Sequence, residues 1–75
     1  METAAQQQFI PISVNGDRKE VPSGLTVAGL LKHLELPLER VAVELDRRIV
    51  RKREWDSTGI TSGAQIEIVE FVGGG

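Results

Sequence analysis

The first regular pattern of apolar positions in the chain has a period of two, which is typical of a strand with one buried face. The alternation starts at Phe9 and places three apolar residues on one face: Ile10, Ile12 and Val14. The dipeptide Asn15-Gly16 follows and favours a tight hairpin turn. We therefore expect a second strand, over about residues 18–21, to pair back on the first. Pro22 is expected to end it, because proline has no N–H to donate to a ladder.

The apolar spacing then changes to that of a helix. Four residues recur at i, i+3, i+4 and i+7: Val27, Leu30, Leu31 and Leu34. Thr26 precedes them and offers a hydroxyl to cap the helix. The pair Leu36-Pro37 is predicted to end the helix, since the residue before a proline is pushed out of the helical region. Gly29 costs about 1 kcal/mol relative to alanine, so this short helix must gain its stability by packing on a sheet.

Two more strands are predicted before a long loop. Alternating apolar residues over 41–45 indicate the third strand, and Ile49-Val50 forms a short fourth strand after a turn at residues 46–48. Residues 54–63 are predicted to form a loop with one helical turn.

The last predicted strand covers residues 65–71 and has two different faces. One face carries Ile66 and Ile68, and the other carries Val69 and Phe71. If the helix covers the isoleucine face, Val69 and Phe71 form an apolar patch on the open side of the sheet. The alternative is that the strand twists and Phe71 caps the core.

The order strand, strand, helix, strand, short strand, strand predicts an α+β fold. We expect a mixed sheet of four to five strands, with one main helix packed on one face and the last strand beside the first. A β-grasp architecture satisfies this order, whereas a ferredoxin-like fold normally requires a second helix. The predicted domain covers residues 9–72. Residues 1–8 are predicted to form a disordered N-terminal extension, and residues 73–75 a flexible glycine tail.

Composition narrows the possible functions. A chain of 75 residues leaves no room for an enclosed active-site cavity beside a core. It has no cysteine, so disulfides, a thiol nucleophile and a thiolate metal site are excluded, which fits a reducing, cytoplasmic location. The polar start does not resemble a secretory signal, and no apolar run approaches the roughly 20 residues that span a bilayer. The net charge of -2 gives no general attraction to nucleic acid, so we expect neither nucleic acid nor membrane as a partner.

The last three residues, Gly73, Gly74 and Gly75, carry the candidate chemistry. Terminal glycines often only fray, but glycines directly after a strand can thread a narrow channel, because they lack a Cβ. A terminal carboxylate is ionised at neutral pH and reacts with nucleophiles only after activation, for example as an acyl-adenylate. The chain has no cysteine or tyrosine and only one histidine, His33. We therefore expect no enzyme here, but acyl transfer from Gly75 that partner proteins catalyse.

Several short stretches together resemble the sulfur carrier proteins of thiazole (thiamine) biosynthesis, the ThiS family of ubiquitin-like β-grasp proteins. The similarity covers about residues 10–75. The matching stretches are Val14-Asn15-Gly16, residues 25–31, residues 41–44, Ile49-Val50 with Trp55, residues 66–69 and residues 72–75. Each stretch alone is weakly specific, but their order and the terminal glycines are specific together.

The resemblance implies a carrier that works through its own C-terminus. An adenylating enzyme would use ATP to activate the carboxylate of Gly75, and a sulfur-donating enzyme would supply the atom that converts it to a thiocarboxylate. Thiazole synthase would then receive the sulfur. The chain itself would bind no cofactor and no metal. Gly73 and Gly74 would thread the partner's active site, while Val69, Phe71 and Val72 would form the docking surface.

Three departures from the family pattern concern turns. Asp46 stands where asparagine is usual, Arg51-Lys52 where Pro-Arg is common, and Ala64 where aspartate is expected. They bear on loop geometry and partner contacts and leave the tail chemistry untouched.

Three further features have mainly structural interpretations. Five basic residues fall within positions 47–53, which indicates a solvated turn or, alternatively, a surface that attracts an acidic partner. Trp55 is expected to cover the edge of the core under the long loop, and His33 to be exposed on the helix.

Three other functions remain open from the sequence. The small subunit of molybdopterin synthase shares the fold and the Gly-Gly end but is usually longer. A covalent protein tag would be joined through Gly75 to lysines. A noncovalent interaction module would carry the glycines without using them.

Overall fold

Five strands form one mixed sheet in the computed structural model, which describes residues 8–72. The strands are β1 (Phe9–Val14), β2 (Asp17–Pro22), β3 (Val41–Leu45), β4 (Arg48–Val50) and β5 (Gln65–Glu70). They lie in the order β2-β1-β5-β3-β4, with β1 and β5 parallel and the other neighbours antiparallel. The helix α1 (Val27–His33) and two short 3-10 turns, Leu38–Arg40 and Lys52–Glu54, complete the fold. The predicted α+β class with a single helix and the last strand beside the first is confirmed.

The predicted extension and tail fall largely beyond this part of the chain. Residues 1–7 and the glycine tail, residues 73–75, lie outside the described residues. Gln8 belongs to the predicted extension, and its carbonyl accepts a hydrogen bond from the Ser23 N–H at 2.8 Å. The backbone contact between the two ends of the β1–β2 hairpin therefore continues one residue before β1.

The β1–β2 hairpin forms where Asn15-Gly16 predicted it. Asn15 has φ 51° and Gly16 has φ 87°, and positive φ at both central residues is the geometry that matches the twist of paired strands. The predicted end of β2 is wrong by one residue, because Pro22 still pairs with Phe9. A proline is tolerated there because β2 is an edge strand, so the missing N–H interrupts no ladder.

The start of α1 is held by its cap and by the loop that follows β4. The Thr26 hydroxyl accepts a hydrogen bond from the Gly29 N–H at 3.1 Å, which confirms the predicted cap. The Val27 N–H donates to the Thr58 carbonyl at 2.8 Å, and the Ala28 N–H donates to the Trp55 carbonyl at 3.1 Å. The first three N–H groups of α1, which have no carbonyl partner within the helix, are thus hydrogen-bonded. These bonds compensate for the low intrinsic stability of a helix of only seven residues.

The predicted end of α1 at Leu36-Pro37 is wrong. The helix ends at His33, and Glu35 adopts a left-handed backbone with φ 60°. The Glu35 N–H donates to the Lys32 carbonyl and the Leu36 N–H donates to the Leu31 carbonyl, both at 3.0 Å. This pair of bonds is the Schellman motif, which closes the helix before the proline can act on it.

The core lies between α1 and one face of the sheet, and all its buried side chains in residues 8–72 are apolar. The most deeply buried are Leu30, Leu31, Ile66, Val21 and Val27. Trp55 is also buried and its Nε1–H donates to the Val50 carbonyl at 3.0 Å, as expected for a side chain that closes the edge of the core.

The loop after β4 differs in detail from the prediction. Its helical turn spans Lys52–Glu54 and so comes almost entirely before the predicted loop, residues 54–63. The Glu54 carboxylate accepts a hydrogen bond from the Arg51 N–H at 3.2 Å, which starts this turn early. No helix within residues 8–72 is long and apolar enough to cross a membrane.

Candidate functional site

Strand β5 leads to the terminal glycines and occupies the centre of the sheet. Its neighbour β3 pairs with it over five residues, from Leu45 opposite Ile66 to Val41 opposite Glu70. Its parallel neighbour β1 pairs with it over only two, Ser13 opposite Gln65 and Val14 opposite Ile66. The second half of β5 is therefore held mainly from one side.

Asn15 supplies the missing support on the β1 side. Its Oδ1 accepts a hydrogen bond from the Ile68 N–H at 2.7 Å, and its Nδ2 donates to the Ile68 carbonyl at 3.1 Å. The Asn15 N–H donates to the Ile66 carbonyl at 2.8 Å. The side-chain amide thus pairs with β5 as a backbone peptide would, and it extends the β1–β5 contact by one step toward the tail. We call these two side-chain bonds the Asn15 clasp.

The pairing with β3 continues to the root of the tail. The Phe71 N–H donates to the Arg40 carbonyl at 2.7 Å, in the register of the β3–β5 ladder. The strand ends at Glu70, one residue earlier than predicted, but this bond still fixes Phe71 against the sheet. Hydrogen bonds therefore fix the path of the backbone as far as Phe71. Val72 is the last residue before the glycines that the structure describes.

A group of exposed apolar side chains extends from this root across the open face of the sheet. Val69 is 58% exposed and Phe71 57%, so the alternative in which Phe71 caps the core is wrong. Val72 is 85% exposed and Ile49, on the neighbouring edge of the sheet, is 75% exposed. We call these four residues the apolar patch. Large apolar side chains grouped together in water are typical of an interaction surface.

The sequence did not lead us to name Ile49 as a docking residue, although the alternation of faces along its strand indicated an exposed position. Val50 is buried, and successive residues of a strand point to opposite faces, so Ile49 must point away from the core. The pairing of Ile49 with Glu44 places it on the same open face as Val69.

The other polar candidate residues lie on the surface of the domain. The basic side chains of residues 47–53 are exposed, with Lys52 Nζ 6.0 Å from the centre of the Trp55 ring. His33 is exposed on α1, as expected. Among residues 8–72, no group of three or more histidine or acidic side chains is arranged to hold a metal ion.

Comparison with known proteins decides the family. The ThiS family model matches residues 7–75, which is nearly the whole chain and includes the terminal glycines. The chain belongs to the ThiS family. A crystal structure of the thiamine biosynthesis protein ThiS from Geobacter metallireducens has 33% sequence identity and a TM-score of 0.76, covering 88% of this chain and all of that one.

Two curated relatives place the same domain in different settings. A thiazole synthase from Paramagnetospirillum magneticum is 36% identical over 62 residues, which are 83% of this chain and 19% of that protein. The uncharacterized protein ycf40 of Porphyra purpurea is 33% identical over 66 residues, which are 88% of this chain and 93% of that protein. The chain thus spans about a fifth of the length of the thiazole synthase and nearly all of the algal protein.

Proposed function

We propose that this protein is a sulfur carrier of thiamine biosynthesis whose working group is the carboxylate of Gly75. The observation that carries the proposal is the match to the ThiS family through residue 75, together with a strand that ends only two residues before the glycines. Gly73, Gly74 and Gly75 have no side chains, so a partner's active site can enclose their backbone closely.

The proposed reaction has two steps on the Gly75 carboxylate. A carboxylate oxygen attacks the α-phosphorus of ATP and releases pyrophosphate, which gives an acyl-adenylate on an adenylating enzyme. A sulfide-level sulfur atom from a sulfur-donating enzyme then attacks the carbonyl carbon and displaces AMP, leaving a thiocarboxylate. The carrier would pass this sulfur to thiazole synthase, and an oxygen atom, from water or from the group that the sulfur replaces in the acceptor, would restore the carboxylate.

Catalysis in this scheme belongs to the partners. The chain has no cysteine or tyrosine, and its one histidine is exposed on α1, on the layer that covers the other face of the sheet. ATP would accordingly be bound and consumed by the adenylating enzyme. The domain itself contributes a rigid sheet that presents the tail.

Thiazole synthase as the acceptor is supported by the longer relative. In the protein from Paramagnetospirillum magneticum, a segment similar to this chain makes up about a fifth of a protein named thiazole synthase. Linking a carrier to the enzyme that uses it raises the effective concentration of one for the other. We therefore assign the sulfur to the thiazole pathway in preference to the molybdopterin pathway.

Docking of the adenylating enzyme is assigned to the apolar patch. Val69, Phe71 and Val72 lie at the root of the tail and are all more than half exposed. An enzyme that encloses Gly75 must also lie close to Val72, because the three residues from Val72 to Gly75 reach at most about 11 Å. Phe71 and Val69 precede Val72 by one and three residues.

Intact-mass analysis of the full chain tests the proposal. The chain is incubated with ATP, the adenylating enzyme and a sulfur donor, and we expect one oxygen to be replaced by one sulfur. A control without ATP should keep its mass. Isopeptide adducts would instead indicate a covalent tag, and an unchanged mass in the complete mixture would indicate a noncovalent module. Parallel incubation with each synthase distinguishes the thiazole from the molybdopterin pathway.

A further inference from the structure

The open face of the sheet has a shallow apolar depression beside the root of the tail. Its volume is about 160 Å³, and it is lined by Ala42, Val43, Glu44, Ile49, Glu67 and Val69. Ile49 and Val69 belong to the apolar patch, so the depression is continuous with the surface already assigned to docking.

Two carboxylates face each other across this depression. Glu44 on β3 lies directly opposite Glu67 on β5, and both side chains are exposed. Like charges at directly opposite positions destabilise a sheet, so this pair opposes folding. Within residues 8–72 the one ion pair joins Arg18 to Glu20, at 2.7 Å on the edge strand β2. Arg47 lines a neighbouring depression together with Glu44 and Glu67, but in this part of the chain neither carboxylate has a cationic partner within ion-pair distance.

We propose that the depression receives an arginine side chain of the adenylating enzyme; this inference rests on the proposed function. The stem of the arginine lies on Ile49 and Val69, and its guanidinium group bridges Glu44 and Glu67. A long basic side chain can cover apolar surface with its methylene groups while its head reaches a charge. Arginine suits the site better than lysine, because its planar group presents five donors in a fixed fork that can serve two carboxylates.

The choice of occupant follows from position and charge. The depression includes Val69, which belongs to the surface assigned to docking, so the enzyme that docks there is in a position to reach it. Two negative charges beside exposed apolar groups fit a partner surface that is apolar with a positive charge. Adenylation is the step that must recognise the unmodified chain, so we assign the arginine to the enzyme that performs it.

The test replaces each carboxylate by its neutral isostere. Glu44→Gln and Glu67→Gln in the full chain should each raise the Kd for the adenylating enzyme about tenfold, as expected when one partner of an interfacial charge pair is lost. The free variants should unfold at equal or higher urea concentration than the wild type, because a like-charge contact is removed. A merely structural role of the carboxylates would make binding and stability change in the same direction. Glu35→Gln, at an exposed position after α1, is the matched control and should leave Kd unchanged.

Each other outcome has a definite meaning. If the wild type is adenylated and both variants bind as tightly as it does, the arginine is excluded while the proposed function stands. If only binding to thiazole synthase weakens, the assigned occupant is wrong. Sedimentation that shows a dimer lost in the variants would assign the depression to a second copy of the chain and overturn the inference. A wild type that is not adenylated removes the proposed function, and the inference with it.

Discussion

Among residues 8–72, four residues other than glycine adopt a left-handed backbone: Asn15, Glu35, Asp46 and Arg47. Two of them have side chains that compensate through hydrogen bonds. Asn15 clasps Ile68, and the Asp46 carboxylate accepts a hydrogen bond from the Gln65 N–H at 2.9 Å. Asparagine and aspartate tolerate this region for that reason, so the departure from asparagine at position 46 retains the turn. Within the described residues, the Glu35 side chain makes no such bond.

Replacing Glu35 by glycine should therefore stabilise the domain. A left-handed residue with a Cβ costs about 1–2 kcal/mol, whereas glycine loses about 0.5–1 kcal/mol more backbone entropy on folding. We expect Glu35→Gly to raise the free energy of unfolding by about 0.5–1 kcal/mol in urea denaturation.

Glu35→Ala provides the control, because it removes the carboxylate and keeps the Cβ. An equal gain in the alanine variant would show that the negative charge at the helix C-terminus is the destabilising feature. The backbone explanation would then be wrong.

At the level of elements, the two neighbours of β5 pair with it over unequal lengths. β3 pairs with it as far as Glu70, whereas β1 pairs with it only at Gln65 and Ile66. The Asn15 clasp reinforces the weaker side at Ile68, two residues beyond that pairing. The hairpin turn between β1 and β2 thus also steadies the strand that presents the tail.

Asn15→Gly removes the clasp and keeps the turn, since glycine readily adopts φ 51°. Loss of two hydrogen bonds should lower the free energy of unfolding by about 1–2 kcal/mol. Hydrogen exchange of the Ile68 amide should become faster relative to amides in β2. Asn15→Asp retains an acceptor for the Ile68 N–H but sets its second carboxylate oxygen against the Ile68 carbonyl, so it should also lower the free energy of unfolding. Unchanged exchange at Ile68 in the glycine variant would show that the clasp does not support β5.

The strands and their buried faces could be predicted from the alternation of apolar residues. Features that depend on contacts between distant residues, or on an unusual backbone conformation, could not. The period of two assigned Ile12, Ile66 and Ile68 correctly to the core face. The Asn15 clasp joins residues 53 positions apart, so no local pattern reveals it. The end of α1 depends on a left-handed Glu35, and glutamate carries no preference for that conformation.

At the level of the whole molecule, the two faces of the sheet have different tasks. One face is covered by α1 and forms the core, and the other presents the apolar patch beside the tail. Alternation predicted Val69 and Phe71 on this face. It did not reveal that Glu44 stands opposite Glu67, because the register between β3 and β5 arises only when residues distant in sequence pair.

Phe71→Ala should weaken binding of the adenylating enzyme and leave the domain folded. Phe71 is 57% exposed, so its truncation leaves no cavity in the core. We expect Kd to rise about tenfold or more, as for an aromatic anchor at an interface, with little change in the thermal midpoint.

The chain offers a matched control for this substitution. Phe9 is 56% exposed and lies at the start of β1, at the opposite end of the sheet from the tail. Phe9→Ala should bind like the wild type. Equal weakening in both variants, or unfolding of Phe71→Ala, would remove Phe71 from the docking surface.

The transfer of labelled sulfur from the carrier to thiazole tests the central claim most directly. The chain is loaded with isotopically labelled sulfur by the adenylating enzyme, purified, and mixed with thiazole synthase and its other substrates. We predict that the label appears in the thiazole product and that the carrier returns to the mass of its carboxylate form. A variant lacking Gly75 should transfer nothing. Label that stays on the carrier while thiazole forms from another sulfur source would contradict the account.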